Sequence, residues 1–276
     1  METPDDPKFN PYKAPAVNPA QDAAGADPAT YIPRGRTVNA GSGLDWITSA
    51  WKLFVAAPVI WVVMIVLYAV FFVVLAFVPV LGSLLGYLLY GVIGAGWLAG
   101  AHAVARGQKL EIDHLFAGFK SKTGPLLLVG AFYTAGLLAI VVLMGILLAA
   151  GIGASGAIGA LLSGDSSQLA SIAGASIMTF LFGLLLGLAL LAPLLAALWF
   201  APALVYFHNE APLDALKTSL MACLRNWLAF LVYGIVMLVL AVLAAIPLML
   251  GFLVVGPLAL ITVYTSYRAV FTDPAQ

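Results

Sequence analysis

Six stretches of this chain are long enough to cross a bilayer, and none carries an Asp, Glu, Lys or Arg in its core. They fall near residues 58–78, 82–104, 125–149, 174–200, 228–247 and 249–267. About 20 apolar residues of helix cover ~30 Å of hydrocarbon. Backbone inside lipid must satisfy its own hydrogen bonds, which a helix does and an open strand does not. The sequence therefore predicts an all-α, polytopic transmembrane helical bundle. Composition agrees: 63% of residues are hydrophobic and 9% charged, against about 25% charged in an average soluble domain.

Charge sets the expected orientation. The twelve basic residues are Lys8, Lys13, Arg34, Arg36, Lys52, Arg106, Lys109, Lys120, Lys122, Lys217, Arg225 and Arg268. All of them can lie on one side of the membrane. The opposite side holds two short uncharged turns, around Pro79 and Pro247, and a Gly/Ser/Ala connection with Asp165. Excess Lys and Arg marks cytoplasmic loops, so both termini are expected inside. Spans without charge disfavour ion-coupled transporters and pumps, which use buried ionisable groups. No dense basic patch suggests nucleic acid. A lone cysteine, Cys223, allows neither an internal disulfide nor a multi-cysteine metal site.

Three zones are expected: a disordered Pro/Ala-rich cytoplasmic tail over 1–40, a membrane domain over 41–272, and a short tail over 273–276. The first zone scatters seven prolines among Ala, Asp and Asn without apolar periodicity, and such a segment buries too little surface to offset its ordering entropy. Within the membrane domain a unit recurs three times: an amphipathic interfacial helix, then a hairpin of two spans. The helical stripes are Leu44, Ile47, Trp51 and Phe54; Ile112, Leu115, Phe116 and Phe119; and Leu213, Leu216, Leu220, Leu224 and Trp227. Basic residues beside these units, namely Lys52, Arg106, Lys109, Lys120, Lys122 and Arg225, are candidate lipid-headgroup contacts. Small residues at helical spacing let backbones approach closely, so Gly82, Gly86, Gly94, Gly96, Gly100, Gly183 and Gly187 are candidate packing positions within the chain or between two copies.

Motifs for chemistry are weak. Gly151-x-Gly153-x-x-Gly156 matches a dinucleotide pattern without its strand or βα context. His102, His114 and His208 lack metal-ligand spacing and read as solvated interfacial residues. The six tryptophans read as anchors at the headgroup level. Pro193, Pro202 and Pro257 read as packing kinks, because no polar residue adjoins them in sequence. No cofactor is expected.

Trp51-Lys52-Leu53-Phe54 ending at Pro58, Leu115-Phe116-x-Gly118-Phe119, Ala201-Pro202-Ala203-Leu204 and Cys223-Leu224-Arg225-Asn226-Trp227 resemble an uncharacterised family of six-span bacterial inner-membrane proteins. More distantly, the helix-plus-hairpin plan resembles the membrane domain of some glycerophosphodiester phosphodiesterases, whose catalytic barrel is missing here. The resemblance implies an inner-membrane location and no chemistry. The leading expectation is a non-enzymatic protein that organises membrane lipids, a protein partner or a homodimer at the cytoplasmic leaflet. The alternatives are a permease or channel for a neutral or apolar solute, and an interfacial lipid enzyme built on His102, Arg106, His114, His208 or Glu210.

Overall fold

The computed structural model describes residues 30–154 and 166–273; the expected tail up to residue 29, the connection with Asp165 and residues 274–276 lie outside the described residues. Helix α1 (Ser42–Ala56) leads into α2 (Pro58–Ala76), α3 (Leu81–Leu88) and α4 (Tyr90–Ala105). A 3₁₀ helix (Ile112–Phe116) and the single turn α5 (Ala117–Lys120) precede α6 (Thr123–Ala154) and α7 (Ser166–His208). Helix α8 (Pro212–Arg225) is followed by α9 (Trp227–Ala245) and α10 (Phe252–Phe271). Five of these helices (α2, α6, α7, α9 and α10) are long and apolar enough to cross a membrane, and α3 with α4, bent by 46°, are so when taken together as one broken span. The fold is an all-α polytopic bundle. Among the described residues the sole β feature is an isolated antiparallel bridge between Tyr31 and Thr272.

The second span differs from the continuous helix expected over 82–104: it breaks at Leu89. Its halves follow different neighbours. A Cβ at Gly82 would overlap Leu75 O of α2, whereas one at Gly91 would sit 2.5 Å from Leu126 O of α6. Glycine-rich helix bends at low cost, and each half keeps its own close approach. The fourth span, expected to end near 200, is instead a 43-residue helix that runs through Pro193 and Pro202 to His208. At 1.5 Å per residue it is about 64 Å long, twice the hydrocarbon thickness.

Helix α8 braces α7 in the stretch between its two prolines. Phe200 N–H donates to Ser219 Oγ at 2.9 Å, and the same hydroxyl donates to Ala196 O at 2.7 Å. These two backbone groups are the i and i−4 partners of a regular helical bond. A side-chain hydroxyl set between them bends a helix while leaving neither group unpaired. Cys223 Sγ, one turn on, also reaches Ala196 O at 3.4 Å.

The interfacial stripes point differently from the expectation. Helix α1 buries Gly43, Trp46, Ile47, Ala50 and Phe54 but exposes Leu44 and Trp51. Helix α8 buries Ala215, Leu216, Ser219, Ala222 and Cys223 and turns Leu213 and Leu224 outward. Both buried faces mix large residues with small ones (Gly43 and Ala50 in α1; Ala215, Ser219 and Ala222 in α8) that let helices approach closely where lipid is the solvent. The second interfacial element is not an α-helix of useful length; it is the 3₁₀ helix capped by Glu111 and His114, plus one α turn.

The tail boundary also moves. Residues 30–38 lie as an ordered strap across one end of the bundle. Ile32 N–H donates to Phe271 O and Arg36 N–H to Val270 O, both at 2.8 Å. Asn226 Oδ1 accepts from Val38 N–H at 2.7 Å, and its Nδ2 donates to Arg36 O at 3.1 Å. A stretch holding Tyr31, Ile32, Arg36 and Val38, though it includes Pro33, thus docks where α10 offers its backbone carbonyls.

The contacts among the three units run in a ring. The 3₁₀ helix of the second unit lies on α4 of the first; α8 of the third lies on α7 of the second; α1 of the first lies on α10 of the third. The second helices of the three hairpins, α4, α7 and α10, touch one another at the centre.

Candidate functional site: a basic rim and an axial aromatic cluster

The connections that carry the basic residues meet at one end of the bundle. Lys122 Nζ donates to Asn209 Oδ1 at 2.8 Å, joining two of them. Arg225 donates to Arg34 O, tying in the strap. Of the six candidate headgroup contacts, Lys122 is half-buried and the others are exposed. Their commitments differ. Lys120 pairs with Asp113, and Arg225 also bonds Met221 O of its own helix. Lys52, Arg106 and Lys109 make no ion pair or hydrogen bond among the described residues. Exposed apolar groups adjoin these cations: Trp51 and Val55 beside Lys52, and Ile112, Phe116 and Phe119 after Lys109.

The candidate packing glycines separate into two groups. Cβ atoms at Gly82 and Gly96 would overlap backbone of α2 and the 3₁₀ helix; those at Gly86 and Gly100 would press on Phe72 and Leu110. Gly187 meets Met144 at ordinary contact distance, Gly94 lies loosely under Pro202, and Gly183 meets nothing. Gly43, Gly118 and Gly130, which the spacing rule passed over, approach backbone of α9, α4 and α3 too closely for any Cβ. Their partners are distant in sequence, so no local spacing marks them.

Two histidines sit inside rather than in solvent. His102 on α4 is 7% exposed and shares a 3.1 Å hydrogen bond between its Nδ1 and Tyr264 Oη of α10. His208, the last residue of α7, shares a 2.6 Å bond between Nε2 and Tyr267 Oη. Phe207 packs between them, 5.2 Å from the His102 ring and stacked at 5.3 Å on Tyr267. The strap closes the cluster: Tyr31 stacks on His208 at 3.7 Å and donates its hydroxyl to Glu210. Burial, with the bond to Glu210, holds the Tyr31 phenol above its ordinary range. His114 lies apart, its ring bonded to Glu111 backbone. Among the described residues no three His, Cys, Asp or Glu side chains are placed to hold a metal ion.

The tryptophans do not form a single belt. Trp46, Trp61 and Trp97 are buried, Trp199 is half-buried, and Trp51 and Trp227 are exposed at 48% and 59%. Trp61 donates to Leu53 O at 3.0 Å and stacks on Trp97 at 5.7 Å. Trp199, half-buried, donates to Ser266 Oγ at 3.0 Å; the buried rings serve as core, and the two exposed ones fit the anchoring role.

Fold and site together define an all-α multi-pass membrane protein. The chain is 29% identical over 204 residues to a protein of Burkholderia thailandensis whose name reads "probable inner membrane protein", an alignment covering 74% of this chain and 75% of that one. No family profile matches the chain, and no solved structure matches it.

Proposed function

We propose that this is a bacterial inner-membrane protein, with both termini cytoplasmic, that acts without catalysis by gathering anionic lipid at the cytoplasmic leaflet. One observation carries the reading: Lys52, Arg106 and Lys109 are exposed, free of acidic partners among the described residues, and flanked by exposed Trp51, Ile112, Phe116 and Phe119. Cations beside apolar groups at one end of a bundle match a headgroup layer, where each is worth about 1 kcal/mol toward an anionic leaflet. Similarity to an inner-membrane protein supports the location. The helix-plus-hairpin plan also favours a distant architectural kinship with the membrane domain of glycerophosphodiester phosphodiesterases. The His/Tyr cluster supports a packing role, since both ring nitrogens named above are occupied by phenols.

The test is lipid retention. Extraction of the protein into nanodiscs, followed by mass spectrometry, should show enrichment of acidic phospholipid that falls severalfold when Lys52, Arg106 and Lys109 are all changed to Gln. Equal acidic-lipid content in the variant, with orientation checked in parallel, would sink the reading.

A further inference from the structure

The turns that close the first hairpin (α2 to α3) and the third (α9 to α10) are built without polar side chains. No side chain of residues 69–82 or 234–261 carries a nitrogen or an oxygen. The connection of the second hairpin, by contrast, carries Asp165 with Ser163, Ser166 and Ser167 beside it. Turns that meet water commonly draw on Asn, Asp and Ser. Headgroup layers attract Trp, Tyr, Lys and Arg, and neither apolar turn holds one.

The backbone of the two turns fits the same surroundings. Val80, Leu248 and Met249 have φ of 66°, 50° and 65°, a left-handed conformation that Gly or Asn adopts at lower cost. The chain places Val, Leu and Met there instead, 71%, 90% and 68% exposed. Facing water, these side chains repay nothing for that strain; facing lipid, they are solvated. In the first turn the N–H groups of Phe77, Val78, Leu81 and Gly82 bond carbonyls of the same hairpin, and Pro79 has no N–H. In the third hairpin those of Leu248, Met249, Leu250 and Phe252 do the same, and Pro247 has none. Irregular backbone is normally kept out of hydrocarbon because its polar groups go unpaired. Here the pairing is supplied within the turn.

Helix lengths set the turns below the level that the second hairpin reaches. Helices α3 and α6 run antiparallel, with Tyr87 packed on Tyr133 at 5.3 Å. Counting from Tyr87 back to Leu81, and equally far along α6 from Tyr133, places the first turn level with Ala139. Ile146 and Leu148 lie ~10 and ~13 Å further out along α6, and both are exposed. On α7, exposed Met178 and Phe180 lie further out than Gly187, which meets Met144 of α6. In the third hairpin α10 rises only about 24 Å from Arg268 to Phe252, short of ~30 Å of hydrocarbon. Lipid deep enough to cover Ile146 and Met178 therefore also covers the turns.

We propose that both turns are submerged, seated among the acyl chains of the leaflet opposite the basic rim, and that only the second hairpin rises past them. The occupant of this apolar end is lipid tail, not water and not a second copy of the chain. The first and third hairpins then fill one leaflet and part of the other, an asymmetric load on the bilayer.

Nitroxide labels on single cysteines test this, in the full chain carrying Cys223→Ala and set in vesicles of phosphatidylethanolamine and phosphatidylglycerol. Val80→Cys and Leu248→Cys report the two turns, Ile146→Cys the outer part of α6, and Lys109→Cys the exposed rim. Paramagnetic resonance reads collisions with oxygen, which dissolves in lipid, and with a nickel chelate, which stays in water. At both turns nickel collisions should fall severalfold below those at Lys109 while oxygen collisions rise, and Ile146 should read shallower than Val80. The two turns belong to separate hairpins, so if one variant fails to fold the other decides. Nickel access at a turn equal to that at Lys109 would overturn the proposal. So would shielding from both reagents, as in a contact between copies, or a Val80 label shallower than Ile146. Replacing phosphatidylglycerol with phosphatidylcholine should leave the depths unchanged, so this inference and the anionic-lipid reading fail separately.

Discussion

Cys223 shows how a residue can be visible in sequence yet unreadable there. Its spacing relative to Ser219 places both on one face of α8, but nothing local says that this face meets the interrupted segment of α7. Burial pushes its thiol up to about 12, and the thiolate is the reactive form. A shift of this sign keeps the neutral thiol through neutral pH and lets it ionise only as pH rises toward that value. Maleimide labelling at pH 8 should therefore be roughly a thousandfold slower in nanodiscs than in denaturing detergent; equal rates would remove the burial argument. Ser219→Ala should lower stability by about 1–3 kcal/mol, because it takes a donor and an acceptor away from α7, and thermal unfolding in nanodiscs measures it. The histidines teach the same lesson. Solvated readings of His102 and His208 followed from missing metal spacing, and their tyrosine partners lie 162 and 59 residues away.

Among the elements, the long apolar spans were legible because hydrocarbon thickness dictates their length and charge dictates their ends. The bend at Leu89 and the reach of α7 were not, since both depend on which neighbour each half touches. Glycine spacing was a partial guide. Gly82→Ala should cost about 1–3 kcal/mol through overlap with Leu75 O, while Gly183→Ala should change nothing measurable; a matched pair of unfolding midpoints decides between close packing and mere composition. The strap was hidden inside what reads as a tail, and its partners, Asn226 and the end of α10 among them, lie far along the chain. Asn226→Ala should free it, raising trypsin cleavage after Arg34 and Arg36 in inside-out vesicles. Cleavage in right-side-out vesicles instead would reverse the proposed orientation.

At the scale of the molecule, three units could be counted in sequence, but the ring could not, because periodicity says what repeats and not what touches what. The density of packing is also uneven. Buried residues gather at the basic end and around the axis, while the far turns present Phe77, Val80, Leu248 and Met249 outward, Leu248 at 90% exposure. The seat of α1 on α10 has a further consequence during synthesis. The ribosome makes α10 some 200 residues after α1, which at 5–20 residues per second is a delay of about 10–40 s. Until α10 is inserted, α1 can seat Trp46 only against Phe230 and Tyr233 of α9, and the ring is an open arc. A chain of this design therefore depends on a late-made helix to close an early-made one, and a lesion in α10 would be felt first at α1, more than 190 residues away.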